Sequence, residues 1–154
     1  MLYNINYSNW RKAEWFVKEK NLIISAKVAD WHLLHDCLRD FMKKLEIPNK
    51  IINHIIIASE EIFVNISNYA YPNSLGYVKI NIIYIPSNGI LKIKFTDEGI
   101  PFDPTSVLAP NTKEKIENRK IGGLGIFIVN KLMDRVEYVY LSGKNNLTII
   151  KKTK

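Results

Sequence analysis

Residues 49–71, NKIINHIIIASEEIFVNISNYAY, decide the fold. At 100° per residue, Ile52, Ile55, Ile56, Ser59, Ile62, Phe63, Ile66 and Ala70 share one face of a helix, while Glu61, Asn65 and Asn68 line up on the opposite one. The second face is not an ordinary wet one. Ile57 and Val64 lie within about 60° of the Glu61–Asn65 line, so the polar line runs through a helix that is apolar almost all round. Such a helix is expected to be covered on both sides, and a carboxylate held there needs a partner because burying it unpaired is costly.

Upstream, residues 31–45 place Trp31, Leu34, Leu38, Phe41, Met42 and Leu45 on one stripe, with Arg39, Lys43 and Lys44 away from it, which predicts a second helix. Asp30 stands where an N-cap belongs. Before it, residues 21–27 (NLIISAK) read as a strand. Downstream, Tyr77–Ile85 and Ile90–Thr96 are β-rich runs joined by Pro86-Ser87-Asn88-Gly89, a hairpin signal. Residues 97–121 lose periodicity and hold Gly99, Pro101, Pro104 and Pro110, the mark of a long functional loop. Gly122-Gly123-Leu124-Gly125 then opens a helix through Met133, and Val136–Leu141 with Leu147–Lys151 form a second hairpin around residues 143–146. The order is strand, helix, helix, two strands, loop, helix, two strands. It predicts an α+β, two-layer α/β sandwich: helices on one face of a mainly antiparallel sheet.

The 154 residues suit one domain. Residues 1–20 show no clear pattern and read as an N-terminal extension, with 21–154 as the domain proper. With 47% hydrophobic and 24% charged residues, the composition excludes disorder and fibre. Apolar runs such as Ile55–Ala58 and Ile126–Val129 fall far short of the ~20 residues of a membrane span. The N-terminus has no signal-peptide pattern, and the single Cys37, read as core, permits no internal disulfide. The expected location is cytoplasmic. Residues 1–77 carry nine Lys/Arg against eight Asp/Glu, and residues 78–154 thirteen against seven, so most of the +7 charge lies in the second half. The lysines are scattered over strands, loop and tail and not stacked on one helix, which argues against direct nucleic-acid binding.

Several segments could carry chemistry. Gly-Gly-Leu-Gly at a helix start offers unpaired N–H groups and no Cβ to keep a phosphate away. It also suits a sharp turn, and the residues alone leave the two readings level. Asp97-Glu98-Gly99 follows a strand; its carboxylate could accept from an exocyclic amine with Gly99 letting a flat ring approach, although alone it reads more simply as a strand-ending turn. Glu60, Glu61 and Asn65 could hold a divalent cation through oxygen. His32, His35 and His54 lack the spacing of a zinc site, and no Gly-x-Ser-x-Gly elbow occurs.

Jointly, residues 60–71 (EEIFVNISNYAY), 97–103 (DEGIPFD) and 122–134 (GGLGIFIVNKLMD) resemble the three boxes of the ATPase superfamily shared by gyrase, heat-shock chaperones, histidine kinases and mismatch-repair proteins. Within it, the short single-domain form is similar to the bacterial anti-sigma factor serine kinases. The resemblance implies a Bergerat-type ATP-binding fold, with ATP held between the helices and the 97–125 loop. Carried over by that resemblance, Asp97 reads the adenine amine with help from Thr148, Gly99 admits the ring, and Asn65 coordinates Mg²⁺. Gly123 and Gly125 hold phosphates, Glu61 is the general base, and Asn68, Tyr69, Phe102, Gly122 and Leu124 complete the nucleotide-contacting set. It further implies a serine on an anti-anti-sigma partner as substrate, a sigma factor bound in competition, and a homodimer. The alternative is a nucleotide-responsive binding module of the same fold that regulates a partner without phosphorylating it.

Overall fold

The computed structural model describes residues 16–106 and 123–154. Five strands, β1 (Lys18–Ser25), β2 (Tyr77–Ile85), β3 (Ile90–Asp97), β4 (Arg135–Leu141) and β5 (Lys144–Lys152), form one sheet in the order β1-β2-β3-β5-β4. Every neighbouring pair is antiparallel. Three helices, α1 (Trp31–Lys44), α2 (Asn49–Tyr69) and α3 (Gly123–Leu132), complete the two-layer α+β sandwich. The sequence patterning therefore reads the architecture correctly.

Alternation in the central strands makes the layers. Val78, Ile80, Ile82 and Tyr84 on β2, Leu91, Ile93 and Phe95 on β3, and Leu147 and Ile149 on β5 are buried on one face of the sheet. Against them pack Leu34, Leu38 and Met42 of α1 and Ile52, Ile55, Ile56, Ile62 and Phe63 of α2. Cys37 is half-buried against this core.

Element ends differ from expectation in informative ways. β1 starts at Lys18 and stops at Ser25, because its partner β2 runs from Tyr77 to Tyr84 opposite it. Asp30 stands at the N-terminus of α1 but does not cap it: its carboxylate accepts from the Ser25 hydroxyl instead. The side of α2 bearing Glu61 is less covered than expected. Glu61, Val64 and Asn65 are half-buried, whereas Ile57 is 43% exposed, a turn before the level at which α3 meets α2.

The last hairpin turns earlier than the glycine-centred reading of residues 143–146. Leu141 pairs with Lys144, so the loop is only Ser142-Gly143, with φ of 53° and 76°. Both central residues are left-handed, as the twist of a two-residue hairpin requires. Asn145 and Asn146 consequently lie inside β5, opposite Asp97 and Thr96 of β3. The far end of α3 is tied to the same strand, since Lys151 Nζ donates to the Leu132 carbonyl at 2.7 Å, where a cation suits the helix C-terminus.

Candidate functional site

Between α2, α3 and the β3–β5 end of the sheet lies a cavity of about 390 Å³. Its walls are largely apolar and include Ile62, Ile66, Ile126 and Leu147 together with Ile100, Pro101 and Phe102. Five side chains bring polar atoms to it: Asn65, Tyr69, Asp97, Tyr138 and Asn145. A mainly apolar hollow of this size with a few convergent polar groups is the usual form of a small-molecule site.

Asp97 is the last residue of β3, and its side chain falls on the buried face by strand alternation. Only 5% of it is exposed. Burial pushes its carboxyl above the usual carboxylate range, partly offset by hydrogen bonds from the Asn145 side chain and the Gly99 amide. Both bonds, each 2.9 Å, end on Oδ1. Among the described residues Oδ2 accepts none. Among the described residues, Asp97 therefore presents one oxygen that is held and one that is open to a donor.

Asn145 is the residue that sequence reasoning missed. It is buried, and its Nδ2 donates to Asp97 Oδ1 at 2.9 Å, to the Ile100 carbonyl at 3.2 Å and to the Gly99 carbonyl at 3.3 Å. Its Oδ1 accepts from Tyr138 Oη at 2.7 Å and from the Phe102 amide at 3.3 Å. The signal was present in the positively twisted Ser142-Gly143 turn, which puts Asn145 in the strand opposite Asp97.

Thr148, expected beside Asp97, is not there. It pairs with Lys94, and three residues from Asn145 it lies on the opposite face of the sheet. At Gly99 the packing itself calls for glycine. A Cβ there would lie 2.5 Å from both the Cβ and the carbonyl oxygen of Ala70, just past α2, and Ile100 N donates to that same carbonyl at 2.9 Å. The close approach at Gly99 is thus between two chain segments.

At the other end of the cavity, α2 and α3 touch at the polar line of α2. A Cβ on Gly125 would collide with Glu61 Oε2 and lie 3.7 Å from Asn65 Nδ2. The first turn of α3, whose N–H groups lack intrahelical partners, thus stands beside a carboxylate and an amide. Tyr69 and Phe102 line the cavity, each more than half exposed. Asn68 and Leu124 are exposed and do not line it, Gly123 begins α3, and Gly122 and the loop after residue 106 lie outside the described residues. No group of three or more His, Cys, Asp or Glu residues suited to a metal occurs among the described residues, nor does any helix long and apolar enough to cross a membrane.

The profile of the histidine kinase-like ATPase domain matches residues 24–151. The chain belongs to that family. Three curated relatives of this ATPase domain carry the name serine-protein kinase RsbW: one from Staphylococcus epidermidis is 33% identical over 102 residues, 64% of each chain. One from Staphylococcus aureus is 34% identical over 91 residues, 56% of this chain and 57% of its own. One from Bacillus cereus is 28% identical over 96 residues, 60% and 59% respectively. The match therefore spans under two thirds of those relatives' length. The ATPase domain also shares its fold with a crystal structure of the RsbU and RsbW domains of Rv1364c from Mycobacterium tuberculosis, with a TM-score of 0.64 and 12% identity, over 88% of this chain and 32% of that one.

The donor set fits a nucleotide. A carboxylate oxygen with no donor among the described residues, on an apolar wall, suits the amine edge of a purine, and the Glu61 carboxylate and Asn65 amide group beside the α3 turn suit a polyphosphate with its cation.

Proposed function

We propose that this protein binds ATP with Mg²⁺ and transfers phosphate to a serine of an anti-anti-sigma partner, while holding a sigma factor in competition as an anti-sigma regulatory factor. The observation that carries the reading is Asp97, buried on the wall of the cavity with Oδ1 occupied and no donor to Oδ2 among the described residues. Membership of the ATPase family and similarity to proteins named serine-protein kinase RsbW support the choice of activity.

In this reading ATP supplies the phosphoryl group and Mg²⁺ neutralises its charge. Asp97 accepts from the adenine amine, and Asn65 is the cation's protein ligand. Gly123 and Gly125 leave the first turn of α3 open to phosphate oxygens, and Tyr69 and Phe102 flank the base. Glu61 accepts the proton of the attacking serine hydroxyl as the new phosphorus–oxygen bond forms and ADP departs. Phosphoryl transfer is mostly positioning and charge neutralisation, so this small set suffices. A homodimer and a cytoplasmic setting complete the proposal.

Incubation with radiolabelled ATP, Mg²⁺ and candidate anti-anti-sigma proteins tests it. Label on a partner serine, abolished by unlabelled ATP, is expected. Nucleotide binding without transfer to any candidate would favour a nucleotide-responsive module that regulates without phosphorylating.

A further inference from the structure

The positions that alternate with the core residues of the five strands make the second face of the sheet, and none of them is buried. At its centre stand three lysines. Lys92 and Lys94 are two residues apart on β3, roughly 7 Å along the strand, and Lys79 of β2, which pairs with Thr96, lies diagonal to Lys94 at a similar spacing. Among the described residues none of the three has an ion pair or a hydrogen-bonded side-chain partner. The acids of this face sit on its outer strands and are already engaged. Glu19 accepts from Asn81 Nδ2 at 2.6 Å and Asn21 Nδ2 at 3.2 Å, and Glu137 pairs with Arg135 at 2.6 Å.

Like charges packed this closely on a sheet work against the fold, and an opposite charge above them removes the penalty. The neighbours are aliphatic. Ile83 and Ile150 flank Lys92 on either side, and Ile23, 70% exposed, flanks Lys79. We infer that this face docks an acidic amphipathic helix of a partner protein. A helix about 10 Å across covers two to three strands at their spacing of ~4.8 Å, so its aliphatic stripe meets Ile23, Ile83 and Ile150 while its carboxylates meet the three ammonium groups.

Charge complementarity chooses the occupant. A second copy of this chain, set face to face, would bring the same lysines against their equivalents. A nucleic acid matches the charge but lacks an aromatic platform, since Tyr77, at the corner of the face, is the only aromatic residue among its described strand positions. The surface lies across the sheet from the nucleotide cavity and does not depend on that reading.

The probe is a fluorescein-labelled helical peptide of about 18 residues, built from Leu, Ala and Glu with leucines on one stripe, titrated with the full chain by anisotropy. A twin peptide carries Lys for Glu, and oligo(U) of matched charge is the nucleic-acid arm. The acidic peptide is expected to bind and its twin not to, with affinity falling about tenfold from roughly 50 to 300 mM salt. Lys79→Gln/Lys92→Gln/Lys94→Gln should weaken binding about tenfold, the sum of three partly exposed ion pairs. Lys43→Gln/Lys44→Gln/Lys50→Gln removes the same charge from exposed positions on the helices and should leave the affinity within about twofold. An equal loss in both triple variants would reduce the effect to net charge and overturn the inference. So would oligo(U) binding more tightly than the acidic peptide, no binding of the acidic peptide, or self-association of the chain that the strand variant abolishes. Should the strand variant melt early, Lys94→Gln alone, at an exposed position, should weaken the acidic peptide about two- to fivefold, and an unchanged affinity overturns the inference.

Discussion

Glu61 Oε2 occupies the space in which a side chain on Gly125 would begin, so α2 and α3 meet through a carboxylate and a bare Cα. The colliding atom is the far end of a flexible side chain, not backbone. Gly125→Ala should therefore fold, with Glu61 swung aside. We expect its melting temperature to move by only a few degrees, while the proposed phosphotransfer drops more than about tenfold, because the base role proposed for Glu61 tolerates little displacement. Transfer at the wild-type rate by Gly125→Ala would dissociate the glycine from the base.

Glu61→Gln isolates the chemistry from the packing. The amide keeps the shape and the contact with Gly125 but cannot take a proton. ADP affinity should stay within about threefold, and transfer should fall by ~10²–10⁴-fold, the usual contribution of a general base. Wild-type transfer by this variant would remove Glu61 from the mechanism.

Asp97 makes stability depend on pH with a definite sign. Its carboxyl is raised above the ordinary range by burial, so the folded state binds that proton more tightly than the unfolded chain does. Its contribution to stability is thus present below the ordinary carboxylate pKa and lost as pH rises through the raised folded value. Asp97→Asn keeps an acceptor for Gly99 and Asn145 and never ionises. Without ligand it should match the wild type near pH 4 and melt higher than it at neutral pH, while losing most of its stabilisation by millimolar ADP. Parallel melting curves for the two proteins across this range would contradict the assignment.

The helices and the sheet were legible because their signals are repetitive. The α2 stripe from Ile52 to Phe63 and the alternation from Val78 to Phe95 repeat one period over many residues, and the structure buries those apolar positions. The Asp97–Asn145 cluster depended on one local event, the length of a turn. Reading residues 143–146 as the connection hides Asn145 in a loop, whereas a two-residue turn at Ser142-Gly143 sets it across from Asp97. Turn length decides which face each later residue takes, since neighbours in a strand point to opposite sides. Glu61 and Asn65 were legible as a polar line on a greasy helix, but their meeting with Gly125 is a contact between elements 60 residues apart in the chain, which no local pattern encodes.

Thr148 gives that argument a direct test. On the open face opposite Lys94, it has no route to the cavity. Thr148→Val should leave ADP affinity within about twofold and stability within about 0.5 kcal/mol, as for a surface substitution on a strand. A tenfold loss of ADP affinity would return Thr148 to the site and place the strand register in error.

Gly99 separates a ligand role from a packing role. If the glycine exists to admit a base, Gly99→Ala should leave the ligand-free protein as stable as the wild type and lose only affinity. The geometry argues otherwise, because the added Cβ would meet the Ala70 carbonyl carbon at 2.8 Å and its oxygen at 2.5 Å. Those are backbone atoms, and the Ile100 amide hydrogen bond pins them in place at 2.9 Å. Overpacking of this kind costs ~1–3 kcal/mol. Gly99→Ala should therefore be destabilised by that amount in urea without any nucleotide present. Ala70→Gly in the same chain should recover only part of the loss, since it removes the Cβ contact and leaves the carbonyl. Because Gly99 N also donates to Asp97 Oδ1, the shift should carry into the cavity and weaken ADP binding in step with the lost stability. An unchanged urea midpoint with weakened ADP binding would instead restore Gly99 as a residue that makes room for the base.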